Sequence, residues 1–185
     1  MIPKLFSTVL LFIVVYITLV AHIIYAFDNE RKGFILGLGG GLHHTSMDYQ
    51  FTDDISTQGL STSFRIGGAF NEKWMLYYMR EAAFYSIDKK IYASGLMGIG
   101  FSYYFQENPT SWYLIGGIGI GDYTQVTYLD SYTGKSFLFG VGYEIKKRIM
   151  IEGKLLYTSI NDRDPNKTNI LNSISPIISI NYLWY

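Results

Sequence analysis

The 185-residue sequence contains no cysteine, which excludes a disulfide framework, a thiolate metal site and a cysteine nucleophile. It also lacks net charge, because fifteen basic and fifteen acidic residues cancel, so the basic surface expected of a nucleic-acid-binding protein is missing. After residue 26, no window shows a convincing helical period. What the sequence does contain is 17% aromatic residues and 19 glycines, a composition typical of closely packed β-sheets.

A long hydrophobic run lies at the N-terminus. Lys4 is followed by a nearly unbroken apolar run from Leu5 to Tyr25 and then by Ala26. A basic residue, an apolar run and a small residue in this order are typical of a secretory signal peptide. We therefore expect a signal peptide over residues 1–26 and an exported domain over residues 27–185. The length of the run leaves an uncleaved inner-membrane anchor open as the alternative.

Alternation of large apolar residues with small or polar ones dominates the exported part and predicts β-strands. In "LMGIGFSYYF", for example, Met97, Ile99 and Phe101 alternate with glycine and serine. The connectors at one end are short, whereas residues 50–59, 86–90, 124–135 and 161–169 are mostly longer and are expected to form loops. An antiparallel meander follows from eight segments: 33–44, 60–70, 74–85, 96–105, 112–121, 136–145, 149–157 and 173–185.

Two segments depart from simple alternation. Arg80 and Glu81 fall on opposite faces of one strand. This predicts a bulge there or, if the strands cross a membrane, a position of Glu81 beyond that membrane. Pro176 removes one hydrogen-bond donor from the closing strand, so a bulge or a gap is expected beside it.

The polar face of these strands consists of glycine, serine and a few ions of both signs, which suits a narrow interior better than a solvated exterior. We therefore predict an interior charge network of Arg65, Arg80, Glu144, Glu152 and Lys154. Large aromatic residues collect at two heights, as expected at two membrane interfaces. The girdle at the short-turn end comprises Phe34, Phe70, Trp74, Tyr103, Phe105, Trp112, Tyr143, Tyr182 and Trp184, and the other comprises Tyr49, Phe84, Tyr85, Tyr92, Tyr123, Phe137 and Tyr157.

These features predict an all-β fold: an eight-stranded antiparallel up-and-down transmembrane β-barrel after an N-terminal signal-peptide helix. An unpaired backbone group in hydrocarbon costs several kcal/mol, so the last strand must pair with the first. The ending "SINYLWY" resembles the terminal signature of Gram-negative outer-membrane proteins. Together with "GIGFSYYF" and "GVGYEI", the sequence resembles the small porin-family barrels of the OmpA and OmpX type. The resemblance implies location in the cell outer membrane and recognition by the outer-membrane insertion machinery.

No residues form a convincing catalytic, cofactor-binding or metal-binding motif. His43 and His44 are adjacent and point to opposite faces of a strand, so they cannot easily share one metal. Ser159 lies in "LLYTSINDRD", which contains no histidine to act as a base. The glycines at 37–41 and 116–121 open no helix and indicate close packing rather than phosphate binding.

We therefore expect a non-enzymatic protein with a structural or surface-interaction role, whose loops are displayed on a rigid barrel with a plugged polar interior. Its expected partners are outer-membrane lipid, lipopolysaccharide and the insertion machinery, with no nucleic acid; the sequence does not identify what the loops bind. Three alternatives remain open: an outer-membrane lipid-modifying enzyme, a narrow gated channel, and a soluble barrel that binds an apolar ligand.

Overall fold

The computed structural model describes residues 31–49, 55–108, 110–126, 130–160 and 171–185. The signal peptide expected over residues 1–26 lies outside the described residues. No helix in the described ranges is long and apolar enough to cross a membrane. The eight strands are β1 (Gly33–Tyr49), β2 (Ile55–Ala69), β3 (Trp74–Ile87), β4 (Lys90–Tyr104), β5 (Trp112–Gln125), β6 (Asp130–Lys146), β7 (Ile149–Ile160) and β8 (Leu171–Trp184).

Every strand pairs antiparallel with its neighbours in the sequence, and β8 pairs with β1 to close the barrel. The predicted all-β, eight-stranded antiparallel up-and-down barrel is confirmed, whereas the signal-peptide helix before it remains a prediction. Closure satisfies the backbone hydrogen bonds of both terminal strands, which an open sheet in a bilayer would leave unpaired. The closing contact runs from Leu36 opposite Trp184 to Tyr49 opposite Leu171.

The strands are longer than the alternation predicted. Residues 55–59 belong to β2, and residues 124–125 and 130–135 belong to β5 and β6, so the described parts of the expected loops 50–59 and 124–135 are almost entirely strand. The expected loop 86–90 is a tight turn in which Asp88 and Lys89 both have positive φ, at 48° and 64°. Such a turn matches the twist of a two-residue hairpin.

The two predicted irregularities have different outcomes. The register of β3 with both neighbours is continuous through Arg80 and Glu81, so the bulge predicted there was wrong. The gap predicted beside Pro176 is present: β1 and β8 pair at His43 with Ile177 and again at Ser46 with Ile174, and the register is the same on both sides. An unpredicted register shift lies between Glu144 and Lys146, where β6 pairs with β7.

The apolar rows of the strands face outward. Leu42, Ile99, Phe139 and Ile178 are each more than 60% exposed. The interior is mixed: it holds serine, glycine and charged side chains together with a cluster of buried methionine, leucine, isoleucine and tyrosine side chains. Glycine is required where two strands bring polar side chains together: a Cβ on Gly39 would collide with the Asn181 side-chain oxygen. A soluble ligand-binding barrel has the opposite polarity, with its apolar face inside. The wall is therefore that of a barrel embedded in a bilayer.

Candidate functional site in the barrel interior

A chain of ion pairs crosses the middle of the interior. The two terminal guanidinium nitrogens of Arg65, Nη1 and Nη2, each donate to the Glu152 carboxylate at 2.6 Å. The Lys154 ammonium lies 3.2 Å from the same carboxylate. Lys154 also donates to both oxygens of Glu81 at 2.8 Å. We call Arg65, Glu152, Lys154 and Glu81 the central charge chain. All four side chains are at most 5% exposed, so each charge depends on its partners rather than on water.

Two buried tyrosines contact the central charge chain, Tyr113 through its hydroxyl and Tyr77 through its ring. The Tyr113 hydroxyl donates to Glu152 at 2.7 Å, and Tyr113 itself stacks on Tyr104 with ring centroids 4.4 Å apart. The Tyr77 hydroxyl bonds to Ser102 at 2.8 Å, and the Tyr77 ring lies 5.4 Å from the Arg65 guanidinium. Tyr113 thus supplies a hydrogen bond to the buried ion pair, which helps to offset its loss of hydration, and the Tyr77 ring adds a cation–π contact to Arg65.

Glu144 belongs to a second group of contacts, which we call the lower cluster, at the end of the barrel with the short turns. It accepts hydrogen bonds from the Tyr185 hydroxyl at 2.5 Å and from the Arg148 backbone N–H at 3.0 Å. The Arg31 side chain lies 3.8 Å from Glu144 and stacks over the Tyr104 ring at 4.1 Å. Arg31 also donates to the backbone carbonyls of Gln106, Glu107 and Asn108. The lower cluster therefore closes this end of the interior.

The structure brings together Arg65, Glu152 and Lys154 and places Glu144 separately in the lower cluster. Arg80 lies elsewhere: it is on the outward row of β3 and pairs with Asp122 of β5 at 2.5 and 2.7 Å, with its side chain 30% exposed. The expected interior position of Arg80 is thus corrected, and Glu81 occupies that face instead. Since β3 alternates without a bulge, residues 79 and 81 face inward and residue 80 must face outward.

The buried charges balance. Among the described residues, the buried charged side chains are three cations and three carboxylates: Arg31, Arg65, Lys154, Glu81, Glu144 and Glu152. Sequence reasoning assigned no role to Arg31, Tyr113 or Asp122. The alternation of β5 predicts that Tyr113 faces inward, but the cross-strand register that joins it to Glu152 is not encoded in any one segment.

A third group of residues fills the outer end of the interior. Tyr85, Tyr92 and Tyr123 stack in sequence, with ring centroids 6.3 and 5.5 Å apart, and His43 packs edge-on against Tyr85 at 5.9 Å. Apolar residues of β1, β7 and β8 surround this outer aromatic cluster: Met47, Ile160 and Leu171. The three tyrosines were expected in a membrane girdle at this height, and that expectation was wrong, because they point inward.

The aromatic residues expected at the short-turn end all lie at that end of their strands. Phe70 and Trp112 are 76% and 57% exposed, which places their rings on the outer wall. Neighbouring rings contact each other in pairs, with centroids 4.6 Å apart for Trp74 and Tyr103 and 4.9 Å apart for Trp112 and Tyr143. At the opposite end, the expected residues that face outward are Phe84, Phe137 and Tyr157. The side chain of Tyr49 lies outside the described residues.

The adjacent histidines point apart. His43 is buried, where its Nε2 donates to the Phe84 carbonyl at 3.1 Å and its Nδ1 accepts from the Thr45 hydroxyl at 2.8 Å. His44 faces outward and bonds to Ser56 at 2.9 Å. They therefore cannot act on one substrate group. In the described ranges, no three histidine, aspartate or glutamate side chains converge as a metal site.

Solved structures with the same architecture belong to outer-membrane barrels. The attachment invasion locus protein Ail of Yersinia pestis has a TM-score of 0.55 at 12% identity, covering 82% of this chain and 99% of that chain. Neisserial surface protein A has a TM-score of 0.53 at 13% identity, covering 80% and 96%. Ail in complex with the heparin analogue sucrose octasulfate has a TM-score of 0.53 at 13% identity, covering 82% and 99%. At these identities the likeness shows the fold alone.

No protein-family model matches the chain, and no curated protein matches its sequence. The class of the protein therefore rests on its fold and its surface. The closed eight-stranded wall and its exposed apolar belt define a small β-barrel protein of the Gram-negative outer membrane.

Proposed function

We propose that this protein is a non-conducting outer-membrane barrel with a structural or surface-interaction role. The observation that carries the proposal is that side chains occupy the interior at three successive heights: the lower cluster, the central charge chain and the outer aromatic cluster. An eight-stranded barrel is just wide enough for its interior to be filled in this way. A filled interior leaves the outer wall and the outer hairpins as the surfaces that can meet a partner.

The outer hairpins support a role in surface interaction. β1 and β2 pair up to Met47 and Ile55, and β5 and β6 pair up to Gln125 and Asp130, so ladders hold the connecting segments on a rigid base. Binding residues are commonly carried by loops on such a scaffold. One of the similar Ail structures is a complex with the heparin analogue sucrose octasulfate. In this chain, the described charges near the outer end include Asp88, Lys89 and Lys90, which carry both signs, so we propose no polyanion site.

Lipid and lipopolysaccharide are the proposed partners of the wall, since the exposed belt consists of leucine, isoleucine and phenylalanine. We also propose that the insertion machinery recognises the closing strand β8 before the strand pairs with β1. Export by a leader over residues 1–26 remains a prediction, as does the absence of enzyme activity. The separation of His43 from His44 supports the absence of histidine-based lipid chemistry at the rim.

Single-channel recording in planar bilayers tests the proposal. The purified barrel is expected to produce no conductance steps above the lipid background, because the ion pairs and the tyrosine stack fill the path. Heat-modifiability on gels provides the folding control, since a folded barrel migrates differently before and after boiling. Conductance steps from protein that is shown to be folded would favour the gated channel instead. A lipid A profile that changes when His43 and His44 are both replaced would favour the lipid-modifying enzyme.

A further inference from the structure

A groove of about 760 Å³ lies on the outer wall across β6, β7, β8 and β1 and reaches Gln58 of β2. We call it the seam groove, because it spans the junction between the last strand and the first. Its volume lies within the roughly 300–1,000 Å³ typical of small-ligand sites. Its lining includes Leu42, His44, Phe139, Gly153, Pro176 and Ile178.

The strand register explains the groove. Gly153 sits on the outward row of β7 between Val141 of β6 and Ile178 of β8, so the middle position of three neighbours has no side chain. A Cβ placed on Gly153 meets no atom within 4 Å. Diagonally next to Gly153, Pro176 is compact and lies opposite the gap in the β1–β8 ladder. Two short residues on adjacent strands thus leave a trough among large apolar side chains.

The surroundings of the trough limit what can fill it. Leu42, Phe139 and Ile178 are 66%, 63% and 71% exposed and belong to the apolar belt that faces the bilayer. In the proposed outer-membrane position lipid chains cover this belt, so the groove is continuous with the lipid-facing surface of the barrel. An empty trough would forfeit van der Waals contacts along its lining, whereas a hydrocarbon chain lying in it would make them.

The upper end of the groove is polar and lies toward the outer hairpins. His44 and Gln58 line it there, both exposed, and the hydroxyl of Ser56 bonds to His44 at 2.9 Å. The Gln58 amide and the Ser56 hydroxyl are uncharged hydrogen-bonding groups, which suit a sugar or amide head better than a bare phosphate. The outer leaflet of a Gram-negative outer membrane is built from lipid A, an acylated glucosamine lipid.

We propose that the seam groove binds one acyl chain of lipid A, with the amide or sugar portion of the lipid at His44 and Gln58. This inference rests on the proposed placement of the barrel in the outer membrane. It gives the wall of the barrel a defined site for a single lipid, rather than only a general solvating shell.

Native mass spectrometry tests this site. The protein is reconstituted in phosphatidylcholine vesicles that contain lipid A, released with mild detergent, and examined for bound lipid. Wild-type protein is expected to retain one lipid A. In Gly153→Trp an indole fills the trough, so the retained fraction is expected to fall roughly tenfold or more. Gly68→Trp is the matched control, because it adds the same ring to an outward glycine of β2 away from the groove.

Each outcome decides the proposal. Loss of lipid A in Gly153→Trp with retention in Gly68→Trp supports it. Equal retention in all three proteins contradicts it, as does a failure of wild type to retain lipid A or a retained lipid that is phosphatidylcholine. Gly153→Leu replaces the tryptophan variant if that variant fails the heat-modifiability test. A folded, non-conducting barrel that retains no lipid A would overturn the groove inference alone, whereas a conducting barrel would overturn the proposed function.

Discussion

At the scale of single residues, Glu152 is the carboxylate that links the two cations of the central charge chain. It is fully buried between Arg65 and Lys154, and it also accepts a hydrogen bond from Tyr113. A buried carboxylate in this position holds two cations that have no access to bulk water. Glu81 lies beyond Lys154 and neutralises it from the other side.

We expect Glu152→Gln to destabilise the folded barrel by roughly 3–5 kcal/mol, the typical cost of removing one partner of a buried ion pair. The measurement is the free energy of unfolding in urea, followed by the gel shift between folded and unfolded forms. Glu107→Gln is the control, because its carboxylate is 66% exposed and pairs with Lys73 at 3.5 Å. Equal losses for the two variants would mean that the central charge chain does not stabilise the interior.

The pair of Arg80 and Asp122 yields a second prediction at this scale. In a double-mutant cycle, Arg80→Met and Asp122→Leu are expected to show a coupling energy of roughly 0.5–3 kcal/mol, because their charges contact each other. Arg80→Met and Glu152→Gln are expected to be additive within about 0.5 kcal/mol, because these side chains lie on opposite sides of the wall. Strong coupling between Arg80 and Glu152 would indicate that the Arg80 side chain lies in the interior, and it would contradict the outward position.

The sequence predicts which face a residue occupies better than it predicts its partner. Alternation alone correctly directs Arg65, Glu152 and Lys154 inward. It also directs Arg80 outward, in phase with Trp74, so the prediction of an interior Arg80 conflicts with the alternation of its own strand. The contact of Lys154 with Glu81 joins β7 to β3, which are not neighbouring strands. Such a contact depends on barrel closure and register, and no single segment contains that information.

At the scale of secondary-structure elements, the seam between β1 and β8 contains a break in its hydrogen-bond ladder. The ladder is interrupted at Pro176, and on the interior side the Thr45 hydroxyl bonds to the Ser175 hydroxyl at 2.7 Å across the gap. Thr45 also bonds to the His43 ring, so the side chains replace contacts that the backbone lacks. Thr45, Ser175 and His43 are all buried.

Thr45→Val is expected to loosen the seam. It keeps the shape of the side chain but leaves Ser175 and His43 without this hydrogen bond, at a cost of roughly 1–3 kcal/mol. Amide hydrogen exchange should accelerate around Ile174 to Ile177 more than in β4 or β5. Ser46→Ala, which changes an exposed hydroxyl of the same strand, should have little effect. Uniform acceleration over all strands, or no acceleration at the seam, would show that the hydroxyl contact does not stabilise the pairing of β1 with β8 beside the gap.

The strand lengths show where sequence patterns stop being informative. Segments such as 55–59 and 130–135 contain threonine, serine and glycine on both faces, and hydrophobic alternation fades there. They still form strands because backbone pairing continues from the membrane-spanning part. Above the bilayer, neither face needs to be apolar, so the pattern that identified the wall no longer marks its end.

At the scale of the whole molecule, the central claim is the orientation of the two faces. The alternation of residues along the strands was sufficient to predict the number of strands and the outward apolar belt. The cost of unpaired backbone groups in lipid was sufficient to predict the closed topology. The three-level filling of the interior was not predictable to the same degree, because Tyr85, Tyr92 and Tyr123 contact each other only when β3, β4 and β5 adopt their observed register.

The absence of cysteine allows this orientation to be measured directly. Spin labels are attached to single cysteines at Ile118 and Ile178, which are 62% and 71% exposed, in protein reconstituted in vesicles. Electron paramagnetic resonance then compares collisions with oxygen, which enters the bilayer, and with a water-soluble nickel complex. We predict frequent collisions with oxygen and few with nickel at both sites. Frequent collisions with nickel and few with oxygen would place these residues in water and contradict the account.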